Sequence, residues 1–411
     1  MNRPIVAALC VFTFPAIASF QQPTFAAPAK AAAKSHPTHK KAAPKKMKKR
    51  RVIVAGVSMS GMNQATMMRR LQRALRSKMQ ARVALSGGSV RVYQKRAALG
   101  IAPDIGWMIG RVGHGATYVP LRLRVDQKAM TQALRRLQGR FQRSAADARL
   151  MDRKGRVRIT PEHFGQSLLV PFSVARLKQQ VESKSTDKSF RIAVRKVAPH
   201  RTRQSFKGIN GRLASYGTDF NPAKVKRTLN MRVAIRSING RFVAPGKVFS
   251  LNDTVGERTQ ARGYRTAIVF ENGRKSPGIG GGVSQVTGTL FNAALVAGLP
   301  IVTYQTHSRP VHYLPLGRDA TVSWGDFDMK WKNNTPAPIY VSYQMAGSHI
   351  SATLYGHVTP HQSVRVKVVS HKFGPRRIKA QLWRVIRRKG KVVSKQKVGD
   401  SDYNWKADNP D

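Results

Sequence analysis

Ser284 follows three consecutive glycines, Gly280, Gly281 and Gly282, in the stretch GIGGGVSQVTGTLFNAAL, and the residues behind it carry the apolar spacing of a helix. A serine hydroxyl attacks a carbonyl when a base takes its proton and an acceptor orients that base. Candidates for both lie downstream in THSRPVHYLPLGRDATV, as His307 and Asp319. The glycines can adopt positive φ and aim several N–H groups at one spot, ahead of the positive end of a helix dipole, which suits an oxyanion or a carboxylate. A serine at the start of a helix also has a purely architectural use, as the N-cap that accepts the first turn's orphan N–H groups. Both readings of Ser284 stand at this level.

The same two stretches hold further candidates, each with a plainer alternative. Arg309 and Arg318 can clamp a carboxylate in two-pronged fashion, or simply add to a basic surface. His312 and Tyr313 can line the same pocket, and Gln285 can offer its amide to it or face solvent. His307 can be a base or a loop histidine bonded to backbone, because Pro310, Pro315 and Gly317 make its surroundings a loop. Asp319 can orient it, pair with an arginine or close the turn at Gly317. Asn333 and Asn334 read as a turn between strands. No zinc motif accompanies the histidines and no Gly-Lys-Ser/Thr follows the glycines, so neither a metal nor any other cofactor is expected.

Elements that could position these residues are legible on either side. The pattern predicts α+β: a first unit of helices and hairpins, then a twisted mixed or antiparallel sheet carrying two helices, then a small β extension. Asn63 caps a predicted helix with Met67, Leu71, Leu75 and Met79 on one face. ARVALSGGSVRVY and ARLMDRKGRVRIT read as hairpins, PLRLRV and SFRIAVRKV as strands, KAMTQALRRLQGRF and SVARLKQQVES as helices. Asn221 and Pro222 suit the start of a helix with Val225, Leu229 and Val233 on one side and Gly240 at its stop. RTAIVFENGRK has a turn at Asn272 and Gly273. ATVSW, FDMKWKN, IYVSYQ and HISATLYG read as strands, and LWRVIRRKGKVVSKQKV as a hairpin.

Composition places the chain outside the cytoplasm. The first 27 residues run from a positive start through an apolar stretch to small residues, the order of a secretory signal that is cleaved or else retained as an anchor, and no later segment is apolar enough to span a bilayer. The single cysteine, Cys10, leaves with that leader, so disulfides and thiol chemistry are excluded from the mature form. The 411 residues include 74 Lys and Arg against 18 Asp and Glu, a formal charge of +56. Such a surplus favours anionic envelope polymers as partners, and export makes nucleic acid the least natural of them. Residues 28–50, an Ala, Pro and Lys tract, read as an extended basic linker that can hold the folded part at the wall.

Several unusual motifs occur in order: INGR, NPAKVKRTLNMRVAIRSINGRFVAPGKVFSLNDTVGERTQARGY, GIGGGVSQVTGTLFNAALVAGLPIV, HSRPVHYLPLGRDATV and WKNNTPAPIYV. Through them the chain resembles the VanW family of exported bacterial proteins, named for an accessory product of vancomycin B-type resistance clusters. The first unit resembles, more loosely, the YoaR-like peptidoglycan-binding domain, through VAGVSMSGM, ALGIAPD, GRVGHGA and ADARLMDRKGRVRITPEHFG. The resemblance implies a peptidoglycan-binding domain at 51–205, a VanW domain at 206–356 and a basic extension at 357–411, in the periplasm, cell wall or outside the cell. Peptidoglycan or its peptide stems would be the ligand. The family's loop carries Cys where this chain has Ser284, and that Cys is the residue proposed for transpeptidase-like attack on wall peptides. Two functions follow: a binding protein of the envelope, or acyl transfer with Ser284 replacing the thiol.

Overall fold

The computed structural model describes residues 50–153, 155–183, 186–271 and 274–405. The signal segment, the linker up to residue 49 and the turn expected at Asn272 and Gly273 lie outside them. The architecture is α+β, with seven α-helices among the described residues. None of these helices is long and apolar enough to cross a membrane.

The first helix forms as its sequence predicts. Helix α1 (Gln64–Gln80) is capped by Asn63, whose side-chain oxygen accepts the Thr66 N–H at 2.9 Å, and it buries Met67, Leu71, Leu75 and Met79. Against it packs α2 (Ile105–Gly113), which the sequence reading missed; Met108 and Ile109 join α1 and the short strand Ile53–Val54 in one small core. A second core forms where α3 (Gln127–Phe141) and α4 (Val170–Ser183) meet the hairpin Arg82–Gly87/Val90–Lys95. SFRIAVRKV, expected as one strand, divides in two. Ser189–Arg191 runs parallel to Arg82–Gly87, whereas Val194–Val197 pairs with Gly165–Leu168. The break falls at Ala193, whose carbonyl accepts from the Leu169 N–H and the Ser173 hydroxyl at the start of α4 instead of from a strand.

A six-stranded antiparallel sheet organises the rest, in the order Phe242–Val243, Ile339–Ala346, His349–Gly356, Gly211–Asp219, Arg156–Thr160, Arg149–Arg153. Its last two strands are the ARLMDRKGRVRIT hairpin, so the sheet continues across the seam between the two halves. Ala148, Phe206, Ile209 and Tyr355 fill that seam.

Helix α5 (Val225–Ile238) starts later and faces differently than expected. Asn221 closes a turn by accepting the Ala223 N–H, and Val225 stays exposed. The buried face is Thr228, Asn230, Met231, Ala234, Ile235 and Ile238, polar at two positions because Asn230 serves the glycine turn. A short α6 (Leu251–Val255) follows, capped by Ser250. Helix α7 (Val283–Val296) is buried almost all round, touching strands Gly211–Asp219 and His349–Gly356 and the C-terminal sheet. ATVSW contributes only isolated bridges, Thr321 with Gln305 and Ser323 with Phe327. The C-terminal strands Gln362–Gly374, Arg377–Arg388 and Lys391–Asn404 form an antiparallel sheet that inserts Leu382 into the main core.

Candidate functional site

The glycine turn is built by two neighbours. Asn230, fully buried on α5, donates to the carbonyls of Arg265 (2.8 Å) and Gly281 (3.0 Å) and accepts the Arg265 N–H (2.7 Å). It thereby ties the turn to the base of the hairpin Thr266–Glu271/Arg274–Ile279. Each glycine is needed. Gly280 and Gly282 have φ of +89° and +107°, and a Cβ on Gly281 would lie 2.4 Å from the Ile268 carbonyl. Among the described residues no group accepts the N–H of Gly281, Gly282 or Ser284. These bare donors stand at the start of a fourteen-residue helix.

Gly282, not Ser284, occupies the N-cap position, so the capping role expected for the serine falls away. Ser284 sits inside the first turn with its Oγ 3.4 Å from Thr321 Oγ1. Gln285 neither faces solvent nor offers a free amide. Its Nε2 donates to Thr218 Oγ1 (3.0 Å) and the Asp219 carbonyl (2.8 Å), and its Oε1 accepts from Arg227 at 2.7 Å. Gln285 therefore holds Arg227 against Gly282, close enough that a Cβ there would meet the arginine at 2.8 Å.

His307 and Asp319 are paired and buried. The His307 N–H and Nδ1 both lie 2.8 Å from Asp319 Oδ2, while the Tyr403 hydroxyl donates to Oδ1 and itself accepts the Gly317 N–H. Asp319 accepts from the His307 backbone N–H and the Tyr403 hydroxyl, which assigns Nδ1 as the donor toward Oδ2. Phe270 packs edge-on to the imidazole at 5.6 Å. Asp319 therefore holds the His307 ring and, through Tyr403, is linked to the turn at Gly317, with no arginine paired to it among the described residues.

Ser284, His307, His312, Tyr313 and the three glycines all line one cleft of about 2200 Å³. The antiparallel bridge between Gln305 and Thr321 brings the histidine stretch alongside α7. Arg309 and Arg318, expected to clamp a carboxylate, do not line it. Arg318 is turned to Asn292 (2.7 Å) and lies over Tyr216, and Arg309 lies over Phe270. Arg227 and Arg258, which the sequence reading missed, line the cleft instead. Arg258 runs along Gly280, and its two terminal nitrogens are enclosed with no acceptor among the described residues. Burial pulls both guanidinium groups down from the ordinary arginine value. An arginine remains charged under such a shift, so the cleft is cationic at its glycine end. His312 is lowered too, by desolvation and then by Arg227 and Lys224, while burial pushes the Tyr313 phenol up.

Exposed Trp324, Phe327 and Phe373 add apolar surface to the cleft. The two former lie in stretches read as strands, and nothing in their spacing marked them as ligand surface. Asn333, the expected turn residue, shapes its loop from within by donating to the Val243 and Ala337 carbonyls. No group of three or more His, Cys, Asp or Glu is arranged for a metal ion among the described residues.

A family model described as VanW like protein matches residues 226–355. The YoaR protein of Bacillus subtilis (strain 168) is 42% identical over 143 residues, which is 35% of this chain and 47% of its own. The vancomycin B-type resistance protein VanW of Enterococcus faecalis (strain ATCC 700802 / V583) is 29% identical over 114 residues, 26% of this chain and 42% of its own. The chain thus spans about half the length of the curated relatives it matches. No solved structure matches it. The matched segment includes the glycine turn, Ser284, His307 and Asp319 but not Tyr403, and it makes residues 226–355 a VanW-like domain.

Proposed function

We propose that the chain is an exported cell-envelope protein whose cleft binds peptidoglycan through the carboxylate of a stem peptide. The observation that carries this reading is the set of bare N–H groups at Gly281, Gly282 and Ser284, flanked by Arg227 and Arg258. Oriented amides at a helix start suit a carboxylate, and the positive field of two arginines whose methylene stems pass Gly280 and Gly282 adds to them. At about 2200 Å³ the cleft exceeds the 300–1,000 Å³ or so usual for small ligands, which favours a segment of polymer. In this reading the first unit is a second contact to peptidoglycan, the basic linker lies on anionic polymer, and the role is accessory to wall remodelling or glycopeptide resistance.

Calorimetry with defined stem peptides tests it. A peptide with a free C-terminal carboxylate should bind about 10-fold or more tighter than its amide, the size of one lost charged hydrogen-bond set. Arg227→Gln should cost a similar factor. Equal affinity for acid and amide would overturn the carboxylate reading.

The oriented imidazole of His307 favours one second reading, acyl transfer. Ser284 Oγ would attack a peptide carbonyl, its proton would pass to His307 Nε2 and on to the departing amine, and an incoming amine would then release the acyl group. The glycine amides would stabilise the oxyanion. Against it, the hydrogen-bond neighbour of Ser284 Oγ is Thr321 Oγ1, at 3.4 Å, and not the imidazole. Mass spectrometry after incubation with wall fragments should then find an adduct on Ser284, and Ser284→Cys should gain reactivity. An unmodified serine together with an inert thiol leaves binding as the function.

A further inference from the structure

The strands from Gln362 to Asn404 follow the family-matched segment, and from sequence they read only as a basic appendage. Their position is that of a built-in part. Leu382 lies in the main core with Val366, Val368 and Val398 packed against it, and the buried Arg384 donates to the Leu299 carbonyl. Gly317 and Gly399 permit the close approach. A Cβ on Gly399 would lie 2.3 Å from the Tyr304 hydroxyl, and one on Gly317 would sit 3.3 Å from Val368. Two consequences reach the cleft. His371, Phe373, Lys379 and Gln381 line it, and Tyr403, fully buried, gives its hydroxyl hydrogen to the carboxylate that orients His307.

We propose that the C-terminal sheet completes the site, with Tyr403 as a positioning residue for Asp319 and His307, and Phe373 with Lys379 as a wall that meets the ligand. The wall half of this rests on the binding reading above; the Tyr403 half does not. The chemistry of Tyr403 is specific. One hydroxyl fixes the turn at Gly317 by accepting its N–H and removes part of the charge that Asp319 would otherwise direct at the imidazole. Phe373 is exposed and Lys379 is half exposed, paired with Asp402 at 3.9 Å beside the closer Arg377. An apolar ring next to a cation fits a peptide segment with an acidic group and an aliphatic body.

A matched pair of variants in the full chain separates positioning from packing. Tyr304 is also buried, stacks on Phe291, and has a hydroxyl with no partner among the described residues. Tyr403→Phe and Tyr304→Phe therefore remove the same atom from neighbouring parts of one contact. The His307 imidazole is then titrated by nitrogen and carbon NMR with no ligand present. Tyr403→Phe should raise its midpoint by about 0.5 unit or more, since Asp319 then holds the imidazolium more strongly. Tyr304→Phe should leave it in place. No movement in Tyr403→Phe, or equal movement in both, would overturn the positioning role.

Should Tyr403→Phe not fold, the surface variants Phe373→Ala and Lys379→Gln decide the wall half. Each should weaken stem-peptide binding at least about 3-fold, a loss of some 0.7 kcal/mol. Unchanged affinity in both would remove the sheet from the binding surface. A wild-type protein that binds no stem peptide overturns the binding reading and the wall with it, while the titration still judges Tyr403.

Discussion

The two halves of the molecule are stabilised by different interiors. Among the described residues, three of the eighteen buried polar side chains, Arg96, Gln166 and Ser173, precede residue 200. The other fifteen follow it, and they include Asn230, Gln285, Asn292, His307 and Asp319. Buried polar groups must be hydrogen-bonded, and each one specifies its partner's position. The first half is thus held mainly by apolar stripes that tolerate exchange of similar shapes, whereas the second holds most of the buried hydrogen-bonded side chains, together with buried donors such as the Arg258 terminal nitrogens that have no acceptor among the described residues. The cleft is in the second half for that reason: amides, an imidazole and guanidinium groups stay fixed in place only where such a network holds them.

Asp319→Ala is the strongest way to break this contrast. It leaves the His307 N–H, the imidazole and the Tyr403 hydroxyl without their acceptor, and should cost about 3–5 kcal/mol in denaturant unfolding. A cost below about 1 kcal/mol would mean the polar interior relaxes freely. Leu71→Ala, in the first half, should cost about 3 kcal/mol through lost burial and a cavity, with stem-peptide affinity unchanged. If binding falls with stability there, the two halves are not separable. Asn63→Ala removes the α1 cap and should cost about 1 kcal/mol, lowering the melting temperature by a few degrees.

The smallest effect concerns the seam. Asp147 accepts the N–H groups of Arg201 (3.0 Å) and His200 (2.7 Å) and pairs with the Arg201 guanidinium. These donors, the Arg201 N–H first, hold its carboxyl below the ordinary aspartate value. A folded-state value below the unfolded one gives a contribution present above the unfolded pKa and lost as pH falls through the folded one. Asp147→Asn should therefore flatten the acid side of the stability curve slightly while leaving neutral pH little changed. A steeper acid limb in the variant would show that the seam is held by something else.

Legibility follows the same division. The α1 stripe and its Asn63 cap could be read directly, because an amphipathic period and a local cap involve only neighbours in sequence. The same rule misled at α5, where Val225 and Leu229 look like core but remain exposed and Asn230 is buried. Its reason to be buried lies in Arg265 and Gly281, far along the chain. Arg309 and Arg318 share a stretch with His307, where a carboxylate clamp is one of their two readings. Arg227 and Arg258 line the cleft instead, brought in by α5 and by the loop after α6.

Local chemistry alone determined that a glycine turn would precede a helix, that His307 and Asp319 were candidates for one site, and that the fold would be α+β. Those conclusions depend on backbone permissiveness, residue type and period, which travel with the sequence. Tertiary packing alone decided that Gly282 caps α7, that Gln285 serves Arg227, and that Tyr403, eighty-four residues away, shares the Asp319 carboxylate. A hydrogen bond between distant residues leaves no period and no local signature; it exists only because the docked sheet brings the two groups together with water excluded.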